Sequence, residues 1–147
     1  ASIHTLRLVG WHTVGIWKKP LLWVLYIGYG WIVAGFVLHA SAYFLNTSPM
    51  LAVHAFAYGG VGMVTIGMMA RVSLGHTGRD VFNPPKFLRN TFLLVLVGSI
   101  VRVVLPLLMT QYYNTWILIS QLLWVLAFTM LATYYFPILA KQSIAEK

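Results

Sequence analysis

Cysteine is absent from the 147-residue sequence, and this absence narrows the chemistry that the chain can perform. Without a thiol it can form no disulfide, no thiolate metal site, no iron–sulfur cluster and no covalent c-type haem, and it offers no cysteine nucleophile. His, Met and Tyr side chains remain as soft or borderline metal ligands.

Acidic residues are almost as scarce. Asp80 and Glu146 are the only two, and neither lies in an apolar run. Catalysis by paired carboxylates, a proton wire made of carboxylates and a di-iron carboxylate site are therefore excluded within this sequence.

Hydrophobic residues, in contrast, are abundant. The sequence is 60% hydrophobic and only 8% charged, whereas soluble domains use about 25% charged residues. Four runs reach the ~20 apolar residues that a helix needs to cross a membrane. We therefore predict an all-α integral membrane protein with one membrane domain, residues 1–147. Its transmembrane helices are expected at about 21–45, 49–70, 91–109 and 116–140.

The basic residues predict how these helices are oriented. Ten Lys and Arg against two acids give a net charge of +8, which in a soluble protein would indicate a nucleic-acid partner. Here the positive charges flank apolar runs, so the positive-inside rule explains them and membrane lipids replace nucleic acid as the expected partner. Both termini and the loop 71–90 are predicted to be cytoplasmic, and residues 1–17 to form an interfacial segment. The prediction depends on Arg7, Lys18, Lys19, Arg71, Arg79, Lys86, Arg89, Lys141 and Lys147.

Two histidines lie within the predicted spans, where ionisable side chains are costly and often functional. His39 precedes the outer end of the first span by six residues, and His54 follows the outer start of the second by five. Both should therefore lie roughly 8–9 Å below the outer interface. Two imidazoles at one depth suit bis-histidine haem b, and they also suit copper. The alternative is that each is a buried hydrogen-bonding residue, with Tyr43 or Tyr58 as a partner.

Arg102 is the third ionisable residue at membrane depth, close to the predicted midplane. The sequence has no acid at that depth to neutralise it. Its charge therefore needs backbone carbonyls, a water-filled cavity, a partner subunit or a bound anion. A haem propionate is a suitable anion, because a guanidinium pairs with a carboxylate through two hydrogen bonds. The alternative is that the side chain extends towards the outer interface.

The stretch "ARVSLGHTGRD" at 70–80 directly follows an apolar run, and two interpretations of it remain open. In the first, its arginines anchor the topology and its glycines form turns. In the second, its backbone donors, hydroxyl, imidazole and guanidinium groups bind an anion such as a propionate, a phosphate or a lipid headgroup. The spacing of a phosphate-binding P-loop is missing. The residues concerned are Arg71, Gly75, His76, Thr77, Gly78 and Arg79.

A longer string that contains this stretch, "HAFAYGGVGMVTIGMMARVSLGHTGR", closely resembles the signature of the NnrS family. The segments "RLVGWHT" and "KKPLLWVLYIGYGWIVAGFVL" resemble the part that leads into it. The resemblance implies a bacterial inner-membrane protein that binds haem and copper and is linked to denitrification and nitric oxide tolerance. The resemblance extends to His54 and to the six residues listed at the end of the previous paragraph. His39 and Arg102 are candidates only because of their predicted depth in the membrane. Family members are usually longer, which implies a fragment, a short paralogue or one subunit of a larger assembly.

Together, the residues and the resemblance predict a protein of nitric oxide or respiratory metabolism that binds haem b, with copper as a further candidate. His39 and His54 are the expected axial ligands, and Arg102 would neutralise a propionate. His76, between Arg71 and Arg79, would belong to a second, cytoplasmic-side site for another haem or a metal. Six-coordinate haem would serve electron transfer, and an open position would serve gas binding.

A different class of function is also open. The chain could be a non-catalytic accessory subunit that packs against other membrane subunits or against itself, with its histidines only hydrogen-bonded. A small-solute transporter is less favoured, because the spans contain no carboxylate and no internal repeat is evident.

Overall fold

The computed structural model describes residues 1–45 and 48–140, and within them every regular element is a helix. Helices α3 and α4 and the π-helical segment between them form one continuous helix, Pro49–His76, which we call the second span. The elements are α1 (Ser2–Gly10), a 3₁₀ turn (Val14–Lys18), α2 (Pro20–Leu45), α3 (Pro49–His54), the π-helical segment (Ala55–Gly62), α4 (Met63–His76), α5 (Phe87–Leu108), a 3₁₀ turn (Thr110–Tyr112) and α6 (Tyr113–Leu139).

Four helices are long and apolar enough to cross a membrane, which confirms the predicted four-span fold class. The outward-facing side chains agree with this: Leu118, Leu122 and Val125 of α6 are each more than half exposed. An apolar outer surface of this kind is expected where lipid is the solvent. The orientation of the helices stays a prediction, and two of its basic residues, Lys141 and Lys147, lie outside the described residues, as does the linker pair 46–47. The spanning helices are Pro20–Phe44, Pro49–His76, Phe87–Leu108 and Thr110–Leu139.

The second span is the centre of the bundle. It packs against α2 on one side and against α5 and α6 on the other, whereas α2 and α6 do not contact each other in the described part of the chain. Glycines allow the close approach to α2, because a Cβ atom at Gly67 would lie 2.7 Å from the Val24 side chain and one at Gly35 would lie 2.7 Å from Phe56. Small residues at such contacts are typical of helix pairs in membranes.

The ends of the second span are set by specific hydrogen bonds. At the start, the Met50 N–H donates to the Ser48 hydroxyl at 3.3 Å, and Pro49 occupies the first turn. At the other end, Gly78 adopts a left-handed conformation with φ 66°. The Arg79 N–H donates to the Leu74 carbonyl at 3.0 Å and the Gly78 N–H to the Gly75 carbonyl at 3.2 Å. This is a Schellman motif, the usual way for a glycine to end a helix.

That helix end corrects the predicted bounds of the loop 71–90. The helix continues through His76, and α5 already begins at Phe87. Arg71 and Gly75 therefore lie on the last turns of a helix and not in a loop. The physical reason is that Arg71 changes the polarity of the surface but breaks no backbone hydrogen bond, whereas the left-handed Gly78 does end the helix.

The N-terminal helix α1 runs back along α2. The His4 ring stacks on Phe36 with 5.0 Å between ring centroids, and its Nδ1 lies 2.8 Å from the Tyr29 hydroxyl. Phe36 follows Pro20, the start of α2, by 16 residues, which is ~24 Å of helix at 1.5 Å per residue. The N-terminal segment therefore reaches well along α2, and it does not lie only at one end of it as the predicted interfacial placement of residues 1–17 implied.

The absence of cysteine allows the orientation to be tested directly. Phe82 in the loop after the second span and Tyr112 between α5 and α6 are 78% and 53% exposed. We expect Phe82→Cys to react with a membrane-impermeant maleimide only in inverted vesicles, and Tyr112→Cys only in right-side-out cells, because the bases flank the Phe82 side. Labelling with the opposite sidedness would reverse the predicted topology.

Candidate functional site

The π-helical segment Ala55–Gly62 lies directly after His54 and was not predicted from the sequence. Such segments are rare and are frequently found at functional sites. Aromatic rings pack on its backbone from both sides: Trp31 of α2 covers Gly59, and Trp124 of α6 covers Gly62. A Cβ atom at either glycine would collide with the indole, so these two contacts hold the widened turn between its neighbours.

Beside this segment, five polar residues form two hydrogen-bonded groups, which together we call the polar cluster. The Tyr58 hydroxyl donates to the Ser120 carbonyl at 2.6 Å, and the Ser120 hydroxyl donates to the Ile117 carbonyl at 2.8 Å. His54 Nε2 lies 3.3 Å from the Tyr113 hydroxyl. The cluster thus ties the second span to α6. Its members are His54, Tyr58, Arg102, Tyr113 and Ser120.

Arg102 brings α5 into the polar cluster. One terminal nitrogen of its guanidinium lies 3.2 Å from the Ser120 hydroxyl and 3.5 Å from the Ile117 carbonyl. Its Nε is buried and has no hydrogen-bond partner in the described part of the chain. Among the described residues the only acid is Asp80, in the loop after Gly78, so no carboxylate of these residues neutralises the charge. Arg102 therefore keeps both an unmet hydrogen-bonding group and an unpaired positive charge.

The polar cluster opens into a groove of about 630 Å³ between the second span, α5 and α6. The His54 imidazole and the Arg102 guanidinium both face this groove, although they come from different helices. Its remaining surface is mostly apolar. The lining residues are His54, Ala57, Tyr58, Val61, Arg102, Gln121, Trp124 and Val125.

The other predicted axial ligand, His39, does not line this groove. It lies on α2 with an exposed side chain, whereas the groove is on the opposite side of the second span. The structure thus brings His54 together with Arg102 and leaves His39 apart from both. The pairing of His39 with His54 on one cofactor stays a prediction.

At the other end of the second span, the residues of the "RVSLGHTGR" motif divide into two groups. Thr77 and Gly78 end the helix: the buried Thr77 hydroxyl donates to the Ser73 carbonyl at 2.7 Å, and Gly78 carries the left-handed turn. Arg79 is half-buried and lies near Tyr135 of α6, on which its charge acts. These roles are structural, so part of the motif needs no ligand to explain it.

The remaining motif residues, Arg71, Gly75 and His76, line a second cleft of about 650 Å³ between the start of α2, the end of α4 and the following loop. Lys19, which directly precedes α2, lies in the same cleft. Sequence reasoning treated Lys19 only as a topology anchor, because 52 residues separate it from Arg71. The same reasoning missed Tyr113 and Ser120, which carry no signal beyond their position at the start of α6.

The donor set for a metal ion is limited. Within residues 1–45 and 48–140, no group of three or more His, Cys, Asp or Glu side chains comes together. A metal bound directly by the protein would thus find one imidazole in the groove, at His54, and one in the second cleft, at His76.

A comparison with protein families gives one match. The family model described as NnrS protein matches residues 1–143 of the chain, which is nearly its whole length. No curated protein and no solved structure gave a significant match.

The hydrogen bond between Tyr58 and the Ser120 carbonyl should stabilise the bundle measurably. We expect Tyr58→Phe to lower the free energy of unfolding by about 1 kcal/mol, since interhelical hydrogen bonds in membranes contribute roughly 0.6–1.7 kcal/mol. Unfolding of the purified protein in detergent would measure the loss. Tyr112→Phe is the control, because its side chain is exposed and its hydroxyl bonds to no described residue; equal stability of the two variants would contradict the assignment.

Proposed function

Because the chain belongs to the NnrS family, we propose that it binds haem b in the groove lined by His54 and Arg102. Membership of the family, together with four helices able to cross a membrane, indicates a membrane protein related to nitric oxide. The observation that supports the haem proposal is that an imidazole and an unpaired guanidinium face one apolar-walled groove.

The groove suits a large, flat, mostly apolar ligand. Its volume of about 630 Å³ is within the ~300–1,000 Å³ that ligand sites usually have. Apolar walls are provided by Ala57, Val61 and Val125, and an aromatic wall by Trp124. These side chains would exclude water from the two faces of a macrocycle.

His54 suits the role of iron ligand. One of its ring nitrogens, Nε2, lies 3.3 Å from the Tyr113 hydroxyl, so the other nitrogen is left for coordination. Histidine ligands usually have such a partner on the second nitrogen, which orients the ring and selects its tautomer. Tyr113 is therefore proposed to position His54.

Arg102 suits the role of the group that binds a propionate. A buried, unpaired charge is costly in a medium of low dielectric constant, and a carboxylate brought by the cofactor would remove that cost. The unmet Nε and a guanidinium edge would then donate to the carboxylate oxygens. The same charge would help to exclude apolar lipid chains from the groove.

Only one imidazole of the described residues lines the groove, and this favours one of the two roles considered for haem. When bound there, haem would supply an iron with an open position, which can bind a diatomic gas such as nitric oxide. Gas binding is therefore proposed ahead of electron transfer. Copper is not proposed for the groove, because the described residues bring no set of copper ligands to it.

The proposal includes the cellular setting. We propose a bacterial inner-membrane location and a role in nitric oxide or respiratory metabolism, as family membership suggests. The competing function is that of an accessory subunit in which the bond from His54 to Tyr113 is purely structural. The polar cluster alone would serve that function equally well, so the experiments below are chosen to separate the two.

An absorption spectrum tests haem binding. We expect the purified wild-type protein to show a Soret band, and His54→Ala to lose at least 90% of it, because its iron ligand is gone. His39→Ala is the matched control, since it removes an imidazole that does not face the groove, and it should retain the band. Loss in both variants would instead support a bis-histidine site, and absence of haem from intact protein would favour the accessory subunit.

Haem retention should also depend on Arg102. We expect Arg102→Gln to bind haem about tenfold more weakly in a titration, because a hydrogen bond to a charged group contributes roughly 1.5–3 kcal/mol. Arg89→Gln is the control, since Arg89 is an exposed arginine at the start of the same helix. Equal haem affinities for the two variants would show that Arg102 does not contact the cofactor.

A further inference from the structure

The second cleft holds two cationic side chains from distant parts of the chain. Lys19 precedes α2, and Arg71 lies on the last turns of α4. The Lys19 ammonium donates to the Phe82 carbonyl at 2.8 Å, which attaches the loop to α2 and leaves two further N–H donors. Arg71 is exposed. Helix ends of opposite polarity meet here, the start of α2 and the end of α4, so the side chains and not the helix dipoles set the charge of the cleft.

Among the described residues, little negative charge lies near this cleft. The only acid among the described residues, Asp80, does not line it. The Asp80 carboxylate accepts hydrogen bonds from Asn83 Nδ2 at 2.6 Å and from the Phe82 N–H at 2.7 Å. These bonds, together with the positive charge of Lys19, hold its pKa below the ordinary value. Asp80 therefore remains charged at neutral pH, stabilises the loop and offsets part of the Lys19 charge. Arg71 leaves the described residues of the cleft with an excess of positive charge.

An apolar wall also lines the cleft. Leu22, Met68 and Val72 line it, and each is more than two-fifths exposed on the outer surface of α2 or α4. This apolar wall is continuous with the surface that faces lipid. Gly75 also lines the cleft, and an added Cβ atom there would meet nothing within 4 Å, so this floor of the cleft is open. The cleft thus combines cationic and apolar side chains, and we call the part beside Lys19 and Arg71 its cationic end.

We propose that this cleft binds an anionic phospholipid. Lys19, Arg71 and His76 contact its phosphate, and its acyl chains lie along Leu22, Met68 and Val72. A free phosphate ion would use the cationic end alone and leave the apolar wall uncovered, which is why a lipid is the occupant favoured here. The predicted topology puts the cleft at the cytoplasmic leaflet, where anionic lipids give a negative surface potential. This proposal gives Arg71 and Gly75 a role that ending the helix does not require. It does not depend on haem binding.

Lipid retention can be measured on the full chain by native mass spectrometry. The protein is purified, incubated with either phosphatidylglycerol or phosphatidylcholine, and the bound lipid is counted. We expect wild-type protein to retain phosphatidylglycerol at least fivefold more strongly than phosphatidylcholine. Inorganic phosphate at millimolar concentration should not displace the bound lipid, because it cannot replace the apolar contacts. Displacement by phosphate would show a site for free anions and overturn the lipid assignment.

Three variants locate the site. Arg71→Gln removes one cation and should weaken phosphatidylglycerol retention about fivefold, the loss expected for one basic residue at an anionic surface. Gly75→Leu keeps every charge and fills the floor of the cleft, and since its Cβ meets no neighbour it should fold normally and still lose the lipid. Arg89→Gln is the control, because it removes one charge outside the cleft.

The outcomes are distinguishable. Equal weakening by Arg71→Gln and Arg89→Gln would mean that net charge alone attracts the lipid, and this would overturn the site. Retention by Gly75→Leu at the wild-type level would do the same. Circular dichroism of each variant checks that the helices are intact, and Lys19→Gln replaces Arg71→Gln as the charge test if the latter does not fold.

Discussion

The packing of the bundle depends on a few glycines of the second span. Because they have no side chain, neighbouring helices can approach its backbone closely. Trp31 and Trp124 reach the backbone of the π-helical segment only because Gly59 and Gly62 have no Cβ atom. In the same way the Tyr58 hydroxyl passes over Gly98 of α5 on its way to the Ser120 carbonyl. Without these approaches α5 and α6 would stand further from the second span, and neither the polar cluster nor its groove could form.

Arg102 shows how a membrane bundle tolerates a charge without an acid beside it. Its guanidinium is held by a serine hydroxyl and a backbone carbonyl of the neighbouring helix. Such neutral acceptors supply hydrogen bonds but no opposite charge, so a cationic potential persists in the groove. The same imbalance recurs in the second cleft, where Asp80 is turned towards its own loop. The groove and the second cleft therefore share an excess of positive charge among their described residues, which is the feature that the two proposed anionic ligands depend on.

Much of the fold could be predicted from the sequence, whereas less of the site could. Length and apolarity are sufficient to predict four spans, because a helix is the only open structure that satisfies its backbone in lipid. The predicted end of the second span was wrong because it was placed at Arg71, where the side chains become polar. The helix ends where the backbone changes conformation, at Gly78. The depth of His54 is given by counting residues, but its direction depends on how the helix is rotated. That rotation brings His54 to Arg102 and away from His39, and hydropathy carries no information about it.

The π-helical segment Ala55–Gly62 adds one consequence for how the second span is organised. An α-helix turns about 100° for each residue, so each extra residue that a π segment accommodates rotates one half of the helix by about that angle relative to the other. His54 lies before the segment and faces α6, whereas Arg71 lies after it and faces the start of α2. The segment thus shifts the rotation between two cavity-lining faces of one helix. Insertion or deletion of a single residue in this segment would rotate the face that carries Arg71 relative to the face that carries His54. One face could thus change its direction during evolution while the other stays aligned.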